Sequence, residues 1–200
     1  MFGDRYMIGV MLAIFWITGV YYDCKILLHI WMVTVSIYDL LYTARNLRNW
    51  SSLKMGILLG VGIIMMIFNE ISLLLYYSDP GKIIQISTIT QINDVLQYLC
   101  GSLCRYPHYI GWISPKKTYE GYFGGLILSV LVLGLYYPIT EIFFICILGN
   151  LGGLISSICK RILEIKDYSI LLGSHGGWLD RIDSIWIPIF WIYLEKVWYM

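Results

Sequence analysis

Residues 55–77 read MGILLGVGIIMMIFNEISLLLYY, with Glu70 the only charged side chain in the run. Inside a lipid bilayer every backbone N–H and C=O must find its partner within the segment, and an α-helix does this while crossing the hydrocarbon core in about 20 apolar residues. The stretch therefore predicts a membrane-spanning helix. Working outward, comparable runs cover residues 6–22, 26–42, 83–104, 121–137, 139–155 and 183–199. Together these predict an all-α architecture, a polytopic integral membrane helical bundle of about seven transmembrane helices. Asp79-Pro80-Gly81 punctuates the third and fourth spans, and Pro138 marks a reversal that makes the fifth and sixth a tight helical hairpin.

Composition agrees with that reading. The apolar set AVILMFWYC makes up 58% of the 200 residues and charged residues only 14%, with a mean hydropathy of +0.71. Soluble domains average about 45–50% apolar and about 25% charged. A soluble domain, a disordered chain and a nucleic-acid binder are thereby excluded. The five cysteines (Cys24, Cys100, Cys104, Cys146, Cys159) contain no Cys-x-x-Cys and sit mostly in apolar runs, which suits small buried residues better than disulfides or a metal site. The apolar N-terminal stretch lacks a small-residue cleavage pattern, so a removable signal peptide is not expected.

Charge placement orients the bundle. With residues 1–5 on the cytoplasmic side, seven crossings put segments 43–54, 105–120 and 156–182 there too. Arg5, Arg45, Arg48, Lys54, Arg105, Lys116, Lys117, Lys160, Arg161, Lys166 and Arg181 then face the cytoplasm, which is 11 of the 14 Lys and Arg; Lys25, Lys82 and Lys196 lie opposite. The positive-inside bias selects this orientation.

Polar residues point to where chemistry could sit. In the fourth span, Ser87, Gln91, Asp94, Gln97 and Gly101 recur every three or four residues on one helical face, and a carboxylate at that depth should face the bundle interior or a watery cavity. Asp39, Glu70 and Glu141 lie near span ends or lack polar neighbours at helical spacing, and read as packing. Loop 105–120 ends Ser114-Pro115-Lys116-Lys117-Thr118-Tyr119-Glu120-Gly121. Paired ammonium groups at a helix N-terminus suit a phosphate, or equally an anchor to anionic headgroups. Loop 156–182 gathers Lys160, Arg161, Lys166, Asp167, Asp180 and Arg181, with Asp183 just beyond. Carboxylates for a hard cation and cations for phosphates suit a polyphosphate bound through Mg²⁺. Asp180 and Asp183, three apart at the expected start of the last helix, could both face one ion. His175, between Ser174 and Gly176, has no second His or Cys at ligand spacing and reads as a loop histidine.

At this point a resemblance enters. Ser157, Lys160, Arg161, Lys166, Asp167, His175, Gly176, Gly177, Asp180, Arg181 and Asp183, in this order and spacing, resemble the signature of the CDP-diacylglycerol synthase, or phosphatidate cytidylyltransferase, family. Asn93-Asp94, Gly101 and Ser114 to Gly121 resemble its preceding block, so that the similarity covers roughly residues 90–185. Cys104 stands where glycine is common, Gly173-Ser174 replaces Pro-Gly, and there are fewer N-terminal spans than members commonly carry.

The resemblance implies N-terminal membrane helices over 1–82 and a cytidylyltransferase membrane domain over 83–200 with a cytoplasmic-face site. It implies that CTP and phosphatidate from the bilayer give CDP-diacylglycerol and pyrophosphate for phospholipid synthesis, with Mg²⁺ as cofactor. On it, Asp167, Asp180 and Asp183 hold the metal and, with Lys160, Arg161 and His175, form the catalytic set. Lys166 and Arg181 bind triphosphate and pyrophosphate oxygens alongside Lys160 and Arg161, and Lys116 and Lys117 take the lipid phosphate or the nucleotide. Asp94 faces the same cavity; Ser114, Thr118, Glu120 and Ser157 fall within substrate-binding blocks; Gly176 and Gly177 let backbone N–H groups approach an anion. The expected partners are the two substrates and membrane lipids, with a homodimer admitted and no nucleic acid. Alternatives are a CTP-dependent polyprenol or phytol kinase, a CDP-archaeol synthase and, from another class, a non-enzymatic membrane subunit.

Overall fold

The computed structural model describes residues 24–173 and 176–198, apart from the side chains of Pro115 and Lys116. The expected first span, 6–22, lies outside the described residues, as does His175. The elements run α1 (Lys25–Asn46), α2 (Ser52–Ser78), α3 (Pro80–Leu103), β1 (Tyr109–Ile110), β2 (Ser114–Thr118), α4 (Tyr119–Leu133), α5 (Ile139–Ile162) and α6 (Trp186–Trp198).

Local chemistry sets most of these boundaries. Asp79 caps α3 by accepting the Lys82 N–H at 3.2 Å, and Pro80 occupies the first helical position, where no N–H is needed. Thr118 caps α4, its hydroxyl accepting the Gly121 N–H at 3.0 Å. A break before Ile139, at Pro138, separates α4 from α5. Helices α1, α2 and α5 are each long and apolar enough to cross a membrane. Large apolar side chains along the described helices face outward, among them Leu59, Ile63, Ile127 and Leu131. In water such a surface would drive aggregation; in lipid it is the matched one, and the chain is an integral membrane protein.

Two expectations need correction. Segment 105–120 is not simply a loop: β1 and β2 pair antiparallel, with Tyr109 opposite Thr118 and a bulge before Ile110 meets Ser114. The last helix begins at Trp186 rather than at 183. Pro188 explains this, because only the first turn of a helix tolerates a residue without an N–H. Asp180 and Asp183 therefore precede α6 and share no helical face.

The chain forms two compact units. One joins the residues up to Ser78 with Cys159–Ile182; the other joins Asp79–Ile158 with the segment from Asp183 onward. In the first, α1 turns Leu28, Met32, Ser36, Asp39 and Thr43 inward, and α2 contributes Val61, Met65, Phe68 and Leu75. In the second, α3 and α4 approach closely through glycine. A Cβ on Gly121 would lie 2.8 Å from the Gln97 carbonyl oxygen, and one on Gly125 would lie 2.8 Å from the Gln97 nitrogen. Close backbone approach through small residues is how helices gain contact in lipid, where no hydrophobic drive pulls them together. At the other end of α3, Lys82 pairs with Glu141 of α5 at 2.9 Å, and Gln85 donates to the same carboxylate at 2.7 Å.

Candidate functional site

In the second unit, the polar face of α3 is real but rotated from the expected one. Gln91 is exposed, and Asn93 lies inward with Gln97. Asn150 of α5 accepts from both, at 3.0 Å from Asn93 and 2.6 Å from Gln97, and Ser129 of α4 donates to Asn93 at 3.3 Å. Asn150 and Ser129 escaped the sequence reading because each is a single polar residue in an apolar run; their meaning arises only when three helices meet.

Beside this seam β2 delivers Lys117. Its ammonium lies 5.5 Å from the centre of the Tyr122 ring, and a Cβ on Gly153 of α5 would stand 3.2 Å from Nζ. Burial opposes the charge, but Tyr122, Asp94 and Asp183 outweigh it and hold the ammonium above the ordinary lysine range. Asp94 comes from α3 and Asp183 from the turn before α6. That turn is pressed onto α5: a Cβ on Gly152 would lie 2.6 Å from the Asp183 carbonyl oxygen and 3.1 Å from Trp186 Nε1. The Tyr122 hydroxyl is buried, with the Lys117 ammonium as its charged neighbour. A half-buried cation, two carboxylates, a buried hydroxyl and a glycine are thus contributed by β2, α3, the turn before α6, α4 and α5.

In the first unit, segment 163–182 is folded around two carboxylates. Asp180 Oδ1 receives the Lys160 ammonium at 2.8 Å, and Oδ2 accepts the N–H groups of Tyr168 and Gly177, both at 2.9 Å. Gly176 has φ +82°, where a side chain would be strained, and a Cβ there would lie 2.9 Å from Asp180 Oδ2. The second carboxylate, Asp39, was read as packing; it is fully buried and bonds to this segment.

The remaining expected site residues have varied surroundings. Ser157 donates to the Gly153 carbonyl at 2.7 Å. Arg161 donates to the Ile165 carbonyl at 3.3 Å. Lys166 and Asp167 are exposed, 3.9 Å apart, and Arg181 is exposed. Glu120 accepts the His108 N–H and pairs with the His108 ring, bracing the β-hairpin. Ser114 and Lys116 belong to β2. The structure brings Lys117, Asp94 and Asp183 together in one unit and Lys160, Asp180 and Gly177 together in the other.

The donor set bears on a metal. Among the described residues, no group of three His, Cys, Asp or Glu is placed to hold an ion. Asp180 already accepts three donors. Asp94 and Asp183, which both act electrostatically on one ammonium, are of the ligand type that magnesium takes, one or two carboxylates with substrate phosphates and water supplying the rest.

The model of the cytidylyltransferase family matches residues 2–197. The chain belongs to the cytidylyltransferase family. This agrees with the resemblance carried by the charged signature. The chain is 36% identical over 119 residues to the uncharacterized protein YnbB of Escherichia coli strain K12, covering 54% of this chain and 40% of that protein. It is 38% identical over 109 residues to the phosphatidate cytidylyltransferase of Aquifex aeolicus, covering 50% of this chain and 42% of the relative. It is 37% identical over 83 residues to the phosphatidate cytidylyltransferase of Bacillus subtilis, covering 36% and 31%. The chain spans less than half the length of these curated relatives. No solved structure matches.

Proposed function

We propose that this member of the cytidylyltransferase family transfers a cytidylyl group from CTP to phosphatidate, forming CDP-diacylglycerol and pyrophosphate. The observation that carries the reading is Lys117, half-buried against Gly153 and held charged by Asp94 and Asp183. A phosphate oxygen of phosphatidate attacks the α-phosphorus of CTP, the new P–O bond forms as the bond to the β-phosphate bridging oxygen breaks, and pyrophosphate leaves. A phosphomonoester has a second pKa near 6, so the attacking oxygen is already ionised and no strong general base is required. Catalysis then rests on charge neutralisation and positioning.

Lys117, charged at neutral pH, faces a phosphate oxygen, and the Tyr122 hydroxyl has a hydrogen bond to give. Gly152 and Gly153 let the Asp183 turn and the Lys117 ammonium approach the α5 backbone closely. A triphosphate carries several negative charges and one ammonium offsets only one of them, so substrate binding requires additional positive charge. Mg²⁺, held by Asp183 and Asp94 with substrate oxygens, would supply that charge and offset the charge building on the pyrophosphate. The roles of Lys160, Arg161, Lys166, Asp167, His175, Asp180 and Arg181 in metal or phosphate binding rest on the resemblance. The 11-to-3 charge split supports seven crossings with the site on the cytoplasmic face.

Purified protein given phosphatidate, α-labelled CTP and Mg²⁺ should produce a labelled lipid and pyrophosphate. Release of labelled CDP with an unlabelled lipid would instead indicate a lipid kinase, and absence of turnover would remove the enzymatic reading.

A further inference from the structure

In α1, Ser36, Asp39 and Thr43 follow one another at intervals of three and four residues on the inward face of an otherwise apolar helix, and all are essentially inaccessible. A carboxylate buried in a membrane helix is costly unless its hydrogen bonds are made. Asp39 makes them to segment 163–182. Its Oδ1 accepts the Ser169 hydroxyl at 2.6 Å and its Oδ2 accepts the Leu179 N–H at 2.8 Å. Ser169 Oγ in turn accepts the Leu171 N–H at 3.1 Å. One turn further along α1, Thr43 donates to the Tyr168 carbonyl at 2.6 Å. Gly177 is required in this arrangement, since any Cβ there would collide with Asp39 Oδ2 and lie 2.8 Å from Ser169 Oγ.

These anchors interleave in sequence with the groups that define the segment. Tyr168 and Gly177 give their N–H groups to Asp180, while Ser169 and Leu179, the residues next to Tyr168 and Asp180, bond to Asp39. We infer that Asp39 is a positioning residue: from a helix outside the recognisable signature, it fixes the Gly176–Asp180 turn and thereby the register in which Asp180 meets Lys160. This deepens the proposed cytidylyl transfer and rests on it for the consequence in turnover, but not for the contact itself.

The test uses full-length protein in lipid nanodiscs, with Asp39→Ala, Asp39→Asn and Ser169→Ala. In Asp39→Ala, amide hydrogen exchange at Gly177–Asp180 should quicken. Pyrophosphate release per folded molecule should fall about tenfold or more, which corresponds to 1.36 kcal/mol per factor of ten. Asp39→Asn retains an oxygen for the Leu179 N–H and an amide that can donate to Ser169 Oγ, and should recover most of that loss. A merely structural role would lower the folded yield while leaving turnover per folded molecule unchanged, and that result overturns the assignment. Unchanged exchange at Leu179 overturns it as well. If Asp39→Ala does not fold, Ser169→Ala decides: exchange at Leu171 should quicken with a smaller drop in turnover, and no change in either refutes the coupling. If the unsubstituted protein shows no turnover, the functional reading fails, and exchange alone decides whether Asp39 holds the turn.

Discussion

Lys117 keeps its ammonium between Asp94 and Asp183, and this determines how it titrates. Burial alone would lower its pKa; Tyr122 and the two carboxylates reverse that and raise it above 10.5. A lysine raised on folding contributes its stability in full below the unfolded value and loses it as pH climbs through the folded one. The difference in thermal stability between the protein and Lys117→Met should therefore stay flat from about pH 6 to about pH 9 and shrink only in the alkaline range above the ordinary lysine value. The same variant should weaken use of CTP or phosphatidate, seen as slower turnover when either is limiting. Asp183 and Asp180 should separate by assay. Asp183→Asn, which removes charge but not size, should cost about a hundredfold or more in turnover, and excess Mg²⁺ should recover part of it. Asp180→Ala removes the carboxylate, only 3% exposed, that receives the Lys160 ammonium at 2.8 Å; breaking a buried pair costs about 3 to 5 kcal/mol. Thermal unfolding should report that loss independently of Mg²⁺.

At the scale of elements, the α3–α4 contact makes a paired prediction. Gly125→Ala forces a methyl group to 2.8 Å from the Gln97 nitrogen, and overpacking of this kind costs about 1 to 3 kcal/mol. Gly60→Ala in α2 meets nothing within 4 Å and should be neutral or stabilising, because alanine is favoured over glycine in helices by about 1 kcal/mol. Unfolding in detergent micelles compares the two, and equal effects would contradict the close approach. Much at this scale was legible in sequence. Asp79-Pro80-Gly81 read as the break between two spans and Pro138 as another, since both act through local backbone chemistry; that Asp79 caps α3 came only with the structure. Pro188 carried the signal for the late start of α6, but the apolar run around it suggested an earlier one. Asp39 had no legible partner in sequence, because the groups it bonds, Ser169 and Leu179, lie more than a hundred residues away along the chain.

For the whole molecule, the charge split makes a topological prediction. In a background free of the five native cysteines, single cysteines placed in 43–54, 105–120 and 156–182 should label from one side of the membrane, and one at position 80 from the other. Labelling of 105–120 and 156–182 from opposite faces would overturn the single-face reading.

Membrane residence, helical class, the helix break at Pro138 and the family-bearing residues were determined by sequence alone, because hydropathy, proline geometry and residue order act locally or survive as a linear pattern. The partners of those residues were decided by tertiary structure. Asp180 and Asp183, three apart in the chain, act on different lysines, Asp180 on Lys160 and Asp183 on Lys117. Asp39, silent in sequence, becomes the anchor of a distant turn. A carboxylate's role depends on which donors folding brings within about 3 Å of it, and that proximity is a property of packed helices rather than of any one stretch of chain.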